Sequence, residues 1–282
     1  VPLTDTKFIN ENLARREQEL AGLMKSVKQV EGMAEKKFAV VILAAGLGKR
    51  MKNPGRPKVM FEILGKPMIE YVVDLAFKVN ADKVVSIVGH HRELVIDFLN
   101  AKFQGKNIEY AIQDEQLGTG HAVMQTEEIL KDFDGEILIL SGDVPLLKFE
   151  TVQKLIDEHF SNNNAATLLT TVFNDANGYG RIVRDEKGKF VKIVEDKDAS
   201  EEEKKINEIN PAIYIVNSKV LFDSLKKISP NNQQKEYYLT DIFHFIPKEK
   251  TGTVVTDDEL EVTGVNSIEQ LAEMENELNV RK

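Results

Sequence analysis

Lys49, Arg50, Lys52, Arg56 and Lys58 crowd into ten residues, directly after an apolar run and among Gly46, Gly48 and Gly55. No Asp or Glu interrupts residues 38–61, although the 282-residue sequence carries a formal net charge of −9. The cluster is a local exception in an acidic protein. It predicts a small anionic ligand and argues against broad attraction to nucleic acid or an anionic membrane. Glycines let a backbone turn sharply and come close to a ligand. Successive amide N–H groups can then converge on phosphate oxygens. Gly46 and Gly48 supply that freedom, and Arg50 and Lys58 add mobile positive charge. Together they predict a triphosphate site, with a solvated basic loop as the plain alternative.

Two phosphate motifs do not fit. The dinucleotide fingerprint G-x-G-x-x-G would need glycine at Met51, which weakens an NAD-linked oxidoreductase. The Walker loop needs four residues between its glycines and then Lys-Ser or Lys-Thr. Here one residue separates Gly46 from Gly48, and Arg50 follows Lys49. Further along, "QDEQLGTGHA" puts Gln113 near a strand end and Gly118-Thr119-Gly120 at a helix start. A carboxamide offers a base edge both a donor and an acceptor. An ordinary strand-to-helix connection is the alternative. "LSGDVPL" places Asp143 at the carboxyl end of a central strand. Magnesium takes one or two protein oxygens and fills its octahedron with phosphates and water, which suits Asp143. A structural turn carboxylate is the other reading. The absence of cysteine excludes disulfides, thiolate catalysis and Cys-ligated zinc.

These residues need a frame. Residues 1–36 read as a helical arm, with Leu13, Leu20 and Val27 seven apart and Leu23 and Val30 on the neighbouring seam. Packing on its own domain is the plain reading, and a contact in a homo-oligomer the sharper one. "FAVVILAA" is continuously apolar, as in a strand buried on both faces of a parallel sheet. Helices follow over residues 68–79, in "ELVIDFLNAK", after Gly120 and over residues 149–159; strands are "VVSIVG", "IEYAIQ" and "EILILSGD". This alternation predicts an α/β fold with an open, doubly wound, mostly parallel sheet. Such sheets bind ligands at the carboxyl ends of their strands. Beyond Asn164, "AATLLTTVF", "GRIVRD", "FVKIVED" and "NPAIYIV" read as a smaller antiparallel lobe. Helices are expected over residues 218–228 and 239–246, and Ser267 caps a last helix carrying Ile268, Leu271 and Leu278. The expected division is an arm, 1–36, and a domain, 37–282, with parts 37–164 and 165–265 and a closing helix 267–280. No segment approaches membrane-spanning length and residues 1–10 lack a signal-peptide pattern, so a cytoplasmic location is expected.

In order along the chain, "LAAGLGKRM", "PKVM", "LGKPMIEYVVD", "EQLGTGHAV", "GDVPLL", "GYGRIVRD", "IVEDKDAS", "EIN", "EYYLTDI" and "GVNS" resemble the sugar nucleotidyltransferase family. The match is to its branch of bacterial N-acetylglucosamine-1-phosphate uridylyltransferases, in the uridylyltransferase domain. The resemblance implies a Rossmann-like nucleotidyltransferase fold that joins UTP to a sugar 1-phosphate and releases pyrophosphate. By similarity, the backbone of Leu43, Ala44, Ala45 and Gly46, with Gln113, Gly118 and Thr119, would hold uracil. Arg50 and Lys58 would bind the triphosphate, and Asp143 and Asn266 would hold Mg2+. Gly180, Glu195, Asn210 and Tyr238 would line the sugar pocket. The nucleophile needs no proton removed, so no general base is assigned; His90 and His91 read as a surface helix start and His121 as support for the glycine turn. One residue is added between Arg50 and Lys58. Pro211-Ala212 stands where the family usually has Thr-Gly, and Ser141 where it often has an aromatic. The family's C-terminal acetyltransferase domain has no counterpart here, so no acetyl transfer is expected. Another sugar, such as glucose 1-phosphate, or thymidylyl transfer is the alternative, and a non-catalytic nucleotide-sugar sensor is the rival of a different class.

Overall fold

Strand β1, Phe38–Leu43, is apolar throughout and lies inside a ten-stranded sheet, with strands on both sides of it. The structure is a computed structural model that describes residues 36–53 and 55–280, together with Arg16. The chain divides into two units, Val1–Lys37 and Phe38–Lys282. The first, and with it the expected helical arm, lies almost wholly outside the described residues.

After β1 come the 3-10 turns Lys49–Met51 and Lys58–Met60, then a hairpin of β2, Glu62–Ile63, and β3, Lys66–Pro67. Helix α1, Met68–Lys78, buries Ile69, Val72, Val73 and Ala76, as their spacing predicts. Next come β4, Lys83–Val88, α2, Arg92–Lys102, and β5, Glu109–Ile112. The helix expected after Gly120 begins at Thr119 and is broken in two: α3, Thr119–Met124, and α4, Glu127–Leu130. Strand β6, Glu136–Ser141, and α5, Phe149–Ser161, complete the parallel half.

The second half runs β7, Ala166–Val172, β8, Gly180–Arg184, β9, Phe190–Val194, β10, Glu208–Asn210, and β11, Tyr214–Asn217. Then come α6, Ser218–Leu225, a 3-10 segment Leu239–His244, β12, Thr251–Thr256, α7, Glu259–Val262, and α8, Ile268–Val280. Two expectations need correction here and one needs refinement. "NPAIYIV" is not one strand: Pro211 lacks an N–H for the ladder, Ala212 takes a left-handed φ of 59°, and the chain is interrupted between β10 and β11. The helix expected over 239–246 is present as a 3-10 helix, Leu239–His244, and not as an α-helix. The lobe is not purely antiparallel, because β12 pairs parallel to β7.

Strand order is β5-β4-β1-β6-β11-β7-β10-β8-β9, with β12 also on β7. The antiparallel strands thus continue the parallel sheet and do not form a second one. Its two faces are both covered. Val40, Ile42, Leu138 and Leu140 pack with α1, α2 and α5 on one side. Ala39, Val41, Ile137 and Ile139 pack with α3, α6 and the 3-10 segment on the other. That two-sided burial explains why β1 reads as an unbroken apolar run.

Candidate active site

Parallel register decides where the chemistry collects. Leu43 at the end of β1 pairs with Ile87 of β4 and Ser141 of β6. The glycine-and-cation turn and Asp143 therefore emerge side by side. Gly142 N donates to Leu43 O at 2.9 Å and locks the two strand ends together. A cavity of about 430 Å³ opens there, lined by Ala45, Gly46, Lys58, Gln113, Gly118 and Asp143 among others. Gly48 has φ 59°, and a Cβ there would lie 2.8 Å from Lys58 Cβ. Glycine is thus what lets the turn fold back onto Lys58.

Lys58 Nζ donates to Asp143 Oδ2 and, at 2.6 Å, to Asn266 Oδ1. Asn266 comes from far along the chain, and packing brings it here. A small apolar cluster unites Met51, beside the basic turn, with Val265 and with Met274 of α8. Val265 N also donates to Asp143 O at 2.9 Å. Ser267 Oγ accepts from Gln270 N at 3.2 Å, the cap expected at the start of α8. A carboxylate and an amide oxygen that converge on one ammonium also converge on any cation at that point. Hard oxygen donors of that number suit Mg2+ sharing its shell with phosphates and water. Among the described residues, no group of three or more His, Cys, Asp or Glu gathers to hold a metal without such help.

The same cavity also presents an amide. Gln113 N donates to Val88 O at 2.9 Å, which extends β5 by one residue and fixes the side chain at the cavity. Its Nε2 lies 3.1 Å from Gly118 O. Gly118 has φ 111°, and a Cβ there would meet Tyr237 O at 2.5 Å. Tyr237 N donates to Leu117 O, and Gly120 N to Tyr237 O, each at 2.8 Å. Thr119 Oγ1 accepts from Leu239 N at 3.1 Å. The glycine turn is therefore clamped by residues 236–239.

Not every expected residue reaches this cavity. Leu43, Ala45, Gly46, Lys58, Gln113, Gly118, Thr119 and Asp143 line it. Ala44 instead packs in the core, and its N–H is engaged by Ile87 O at 3.0 Å. Arg50 is exposed, and its charge acts on Tyr179, whose hydroxyl accepts from Gly264 N at 3.1 Å. Gly180 and Asn210 face each other across β8 and β10. The Asn210 amide is bound to the Tyr214 hydroxyl, and Asn210 Oδ1 also accepts from Ala212 N at 3.1 Å. Ala212 lines the cavity, so this group adjoins it without forming its wall. Glu195 accepts from Thr240 Oγ1 at 2.8 Å. Burial pushes the Glu195 carboxyl up, Thr240 opposes that, and Asp241, Asp198 and Asp196 add to it. Tyr238 is buried and donates to Asp198 Oδ2 at 3.1 Å. Burial pushes its hydroxyl up to about 12.

Leu47, Gln116, Ser141, Ala212 and Glu236 also line the cavity, and the sequence reading did not single them out as binding residues. Gln116 lies inside "QDEQLG", where an amide beside Gln113 was a usable signal. Tyr237 carries no local sign of its role, because its backbone partners, Leu117 and Gly120, lie over a hundred residues away.

The sequence pattern of the nucleotidyl transferase family matches residues 39–260. A bifunctional protein GlmU from Caldanaerobacter subterraneus subsp. tengcongensis is 49% identical over 237 residues, 83% of this chain and 50% of that protein. The bifunctional protein GlmU of Fervidobacterium nodosum is 49% identical over 236 residues, 84% of this chain and 49% of its own length. The chain thus spans about half the length of the curated relatives it matches. A crystal structure of UDP-glucose pyrophosphorylase complexed with UDP-glucose superposes with a TM-score of 0.70 at 18% identity, covering 87% of this chain and 100% of that one. At that identity the likeness concerns the fold.

Proposed function

The chain belongs to the nucleotidyl transferase family, and from that premise we propose that it transfers the uridylyl group of UTP to N-acetylglucosamine 1-phosphate, forming UDP-N-acetylglucosamine and pyrophosphate. The observation that carries the reading is Lys58, whose ammonium bridges Asp143 and Asn266, in a cavity that Lys58 and Asp143 line together with Gln113. Cation handling and base recognition thus share one cavity.

The chemistry follows from charge. A phosphate oxygen of the sugar phosphate attacks the α-phosphorus in line and forms the new P–O bond. The bond to the β-phosphate breaks, and its electron pair leaves with pyrophosphate. Both reactants are anions, so repulsion and misalignment are the obstacles, and electrostatic clamping is the remedy. Lys58 neutralises phosphate charge, and Arg50 adds to the positive field from its exposed turn. The Gly46–Gly48 backbone approaches the phosphates, and Gln113 and Gly118 hold the base. Asp143 and Asn266 would hold Mg2+, which neutralises phosphate oxygens when bound. Asn210, Glu195, Gly180 and Tyr238 hold the sugar side. The enzyme is read as cytoplasmic; among the described residues no helix is long and apolar enough to cross a membrane.

A second sugar preference has one specific support. Ala212 puts a methyl group on the cavity wall, close to Asn210. That methyl narrows the room beside the sugar group and favours a smaller 2-substituent, as in glucose 1-phosphate. Pyrophosphate release across UTP, TTP and CTP with N-acetylglucosamine 1-phosphate and glucose 1-phosphate, with and without Mg2+, tests both. The proposed pair is expected to give the highest kcat/KM. UDP-sugar binding without turnover in any combination would sink the enzyme reading in favour of a sensor.

A further inference from the structure

His121 sits behind Gln113 and takes no part in the chemistry above. Its Nδ1 lies 3.2 Å from Gln113 Nε2, and its Nε2 lies 3.2 Å from Gln125 Nε2. Both amide nitrogens have a second acceptor: Gly118 O for Gln113, at 3.1 Å, and His121 O for Gln125, at 2.9 Å. A neutral imidazole has one acceptor nitrogen and one N–H. Two carboxamide NH2 groups therefore compete for a single lone pair. Burial decides the contest. Gln113 is only 3% exposed, whereas Gln125 is half-buried. An unsatisfied donor costs more in the buried position, because water cannot replace the lost partner. The Nδ1 lone pair thus goes to Gln113, the ring proton sits on Nε2, and Gln125 yields. Tyr237, with its ring centroid 6.4 Å from that of the imidazole, packs beside the ring.

With both Nε2 hydrogens of Gln113 engaged, only Oε1 remains for a ligand in the cavity. We propose that His121 is a positioning residue that fixes the Gln113 amide so that its oxygen faces the base, selecting a pyrimidine with an N–H at position 3 over one with a lone pair there. Uracil presents that N–H; cytosine presents the lone pair and meets Oε1 with repulsion. The inference rests on reading the cavity as a pyrimidine nucleotide site.

The test is calorimetric binding of UTP and of CTP to the full chain, read as the ratio of the two dissociation constants. His121→Ala frees the Gln113 amide to turn over and is expected to lower the preference for UTP by about tenfold. His121→Asn returns a side-chain oxygen near the Nδ1 position and is expected to recover most of the ratio. Gln125→Ala removes only the losing competitor and is expected to leave the ratio within about twofold. An unmoved ratio in His121→Ala, beside a wild-type preference for UTP, overturns the inference and spares the proposed function. Equal weakening of both nucleotides with no recovery in His121→Asn also overturns it, because that is the signature of a structural role. A wild-type chain that binds neither nucleotide overturns the inference and the site reading together.

Discussion

The ammonium of Lys58 satisfies Asp143 and Asn266 at once, so each of the three residues is set by the other two. Lys58→Met should lower kcat/KM for UTP by about a hundredfold, the scale for losing one preorganised charge against a phosphate transition state. The change in unfolding midpoint should be small beside that loss. Unchanged kinetics would make the basic turn a solvated loop. Asp143→Asn keeps the shape and removes the negative charge, and Mg2+-dependent turnover should drop by about 10³-fold. A Mg2+ titration at saturating UTP checks this; near-normal turnover would take Asp143 off the metal. Glu195 makes a pH argument. Its carboxyl is raised from 4.5 in the folded chain, chiefly by burial. A raised carboxyl favours folding while protonated, so that stability is present below the unfolded value and is lost as pH rises through the folded one. Glu195→Gln keeps the acceptor for Thr240 and cannot ionise. Its stability advantage over the parent should grow as pH climbs from about 4 to about 8, measured by thermal unfolding. A constant difference across that range would mean Glu195 ionises without cost.

Among the elements, the parallel half was readable because its strands are apolar on both faces and its helices amphipathic. The break at Pro211–Ile213 was harder to see. Proline announces a missing donor, and Asn210 Oδ1 accepting from Ala212 N makes an Asx turn that Asn-Pro signals locally, but the apolar run Ala212–Val216 reads as one continuous strand and hides it. Likewise β12 is found only through its pairing partner, β7. At the site, Gly46, Gly48, Gln113 and Asp143 could be singled out from residue type and position at strand ends. Asn266 could not, since its role depends on a contact across the whole fold, and only the family resemblance pointed to it. The glycine turn at 118–120 shows the same division. Flexibility was visible in the sequence, but the reason for it, the Tyr237 backbone pressed against the turn, was not. Gly118→Ala would combine a φ of 111° with a Cβ at 2.5 Å from Tyr237 O. The expected loss is about 2–4 kcal/mol of stability, with weakened UTP binding. Chemical denaturation measures the first and calorimetry the second. An unstrained, fully active Gly118→Ala variant would mean the turn and residues 236–239 can separate freely.

For the whole molecule, the question is how much of the chain the chemistry needs. Residues 38–282 form a compact unit of their own. Both faces of the sheet are covered from within that unit, by α1, α2 and α5 on one side and α3 and α6 on the other. The third cluster, which brings Asn266 to Lys58, is likewise built from residues of this unit. Every residue proposed to touch substrate or metal lies in it. A chain beginning at Lys37, one residue ahead of β1, should therefore fold and turn over UTP with kcat and KM near those of the full chain. Its unfolding midpoint should stay within about 4 °C, equivalent to about 1 kcal/mol for a domain of this size. Sedimentation of both chains at matched concentration then separates assembly from chemistry. A smaller particle with intact turnover assigns residues 1–36 to self-association. A folded fragment that has lost activity would place part of the catalytic machinery in the first unit, contrary to the site proposed here.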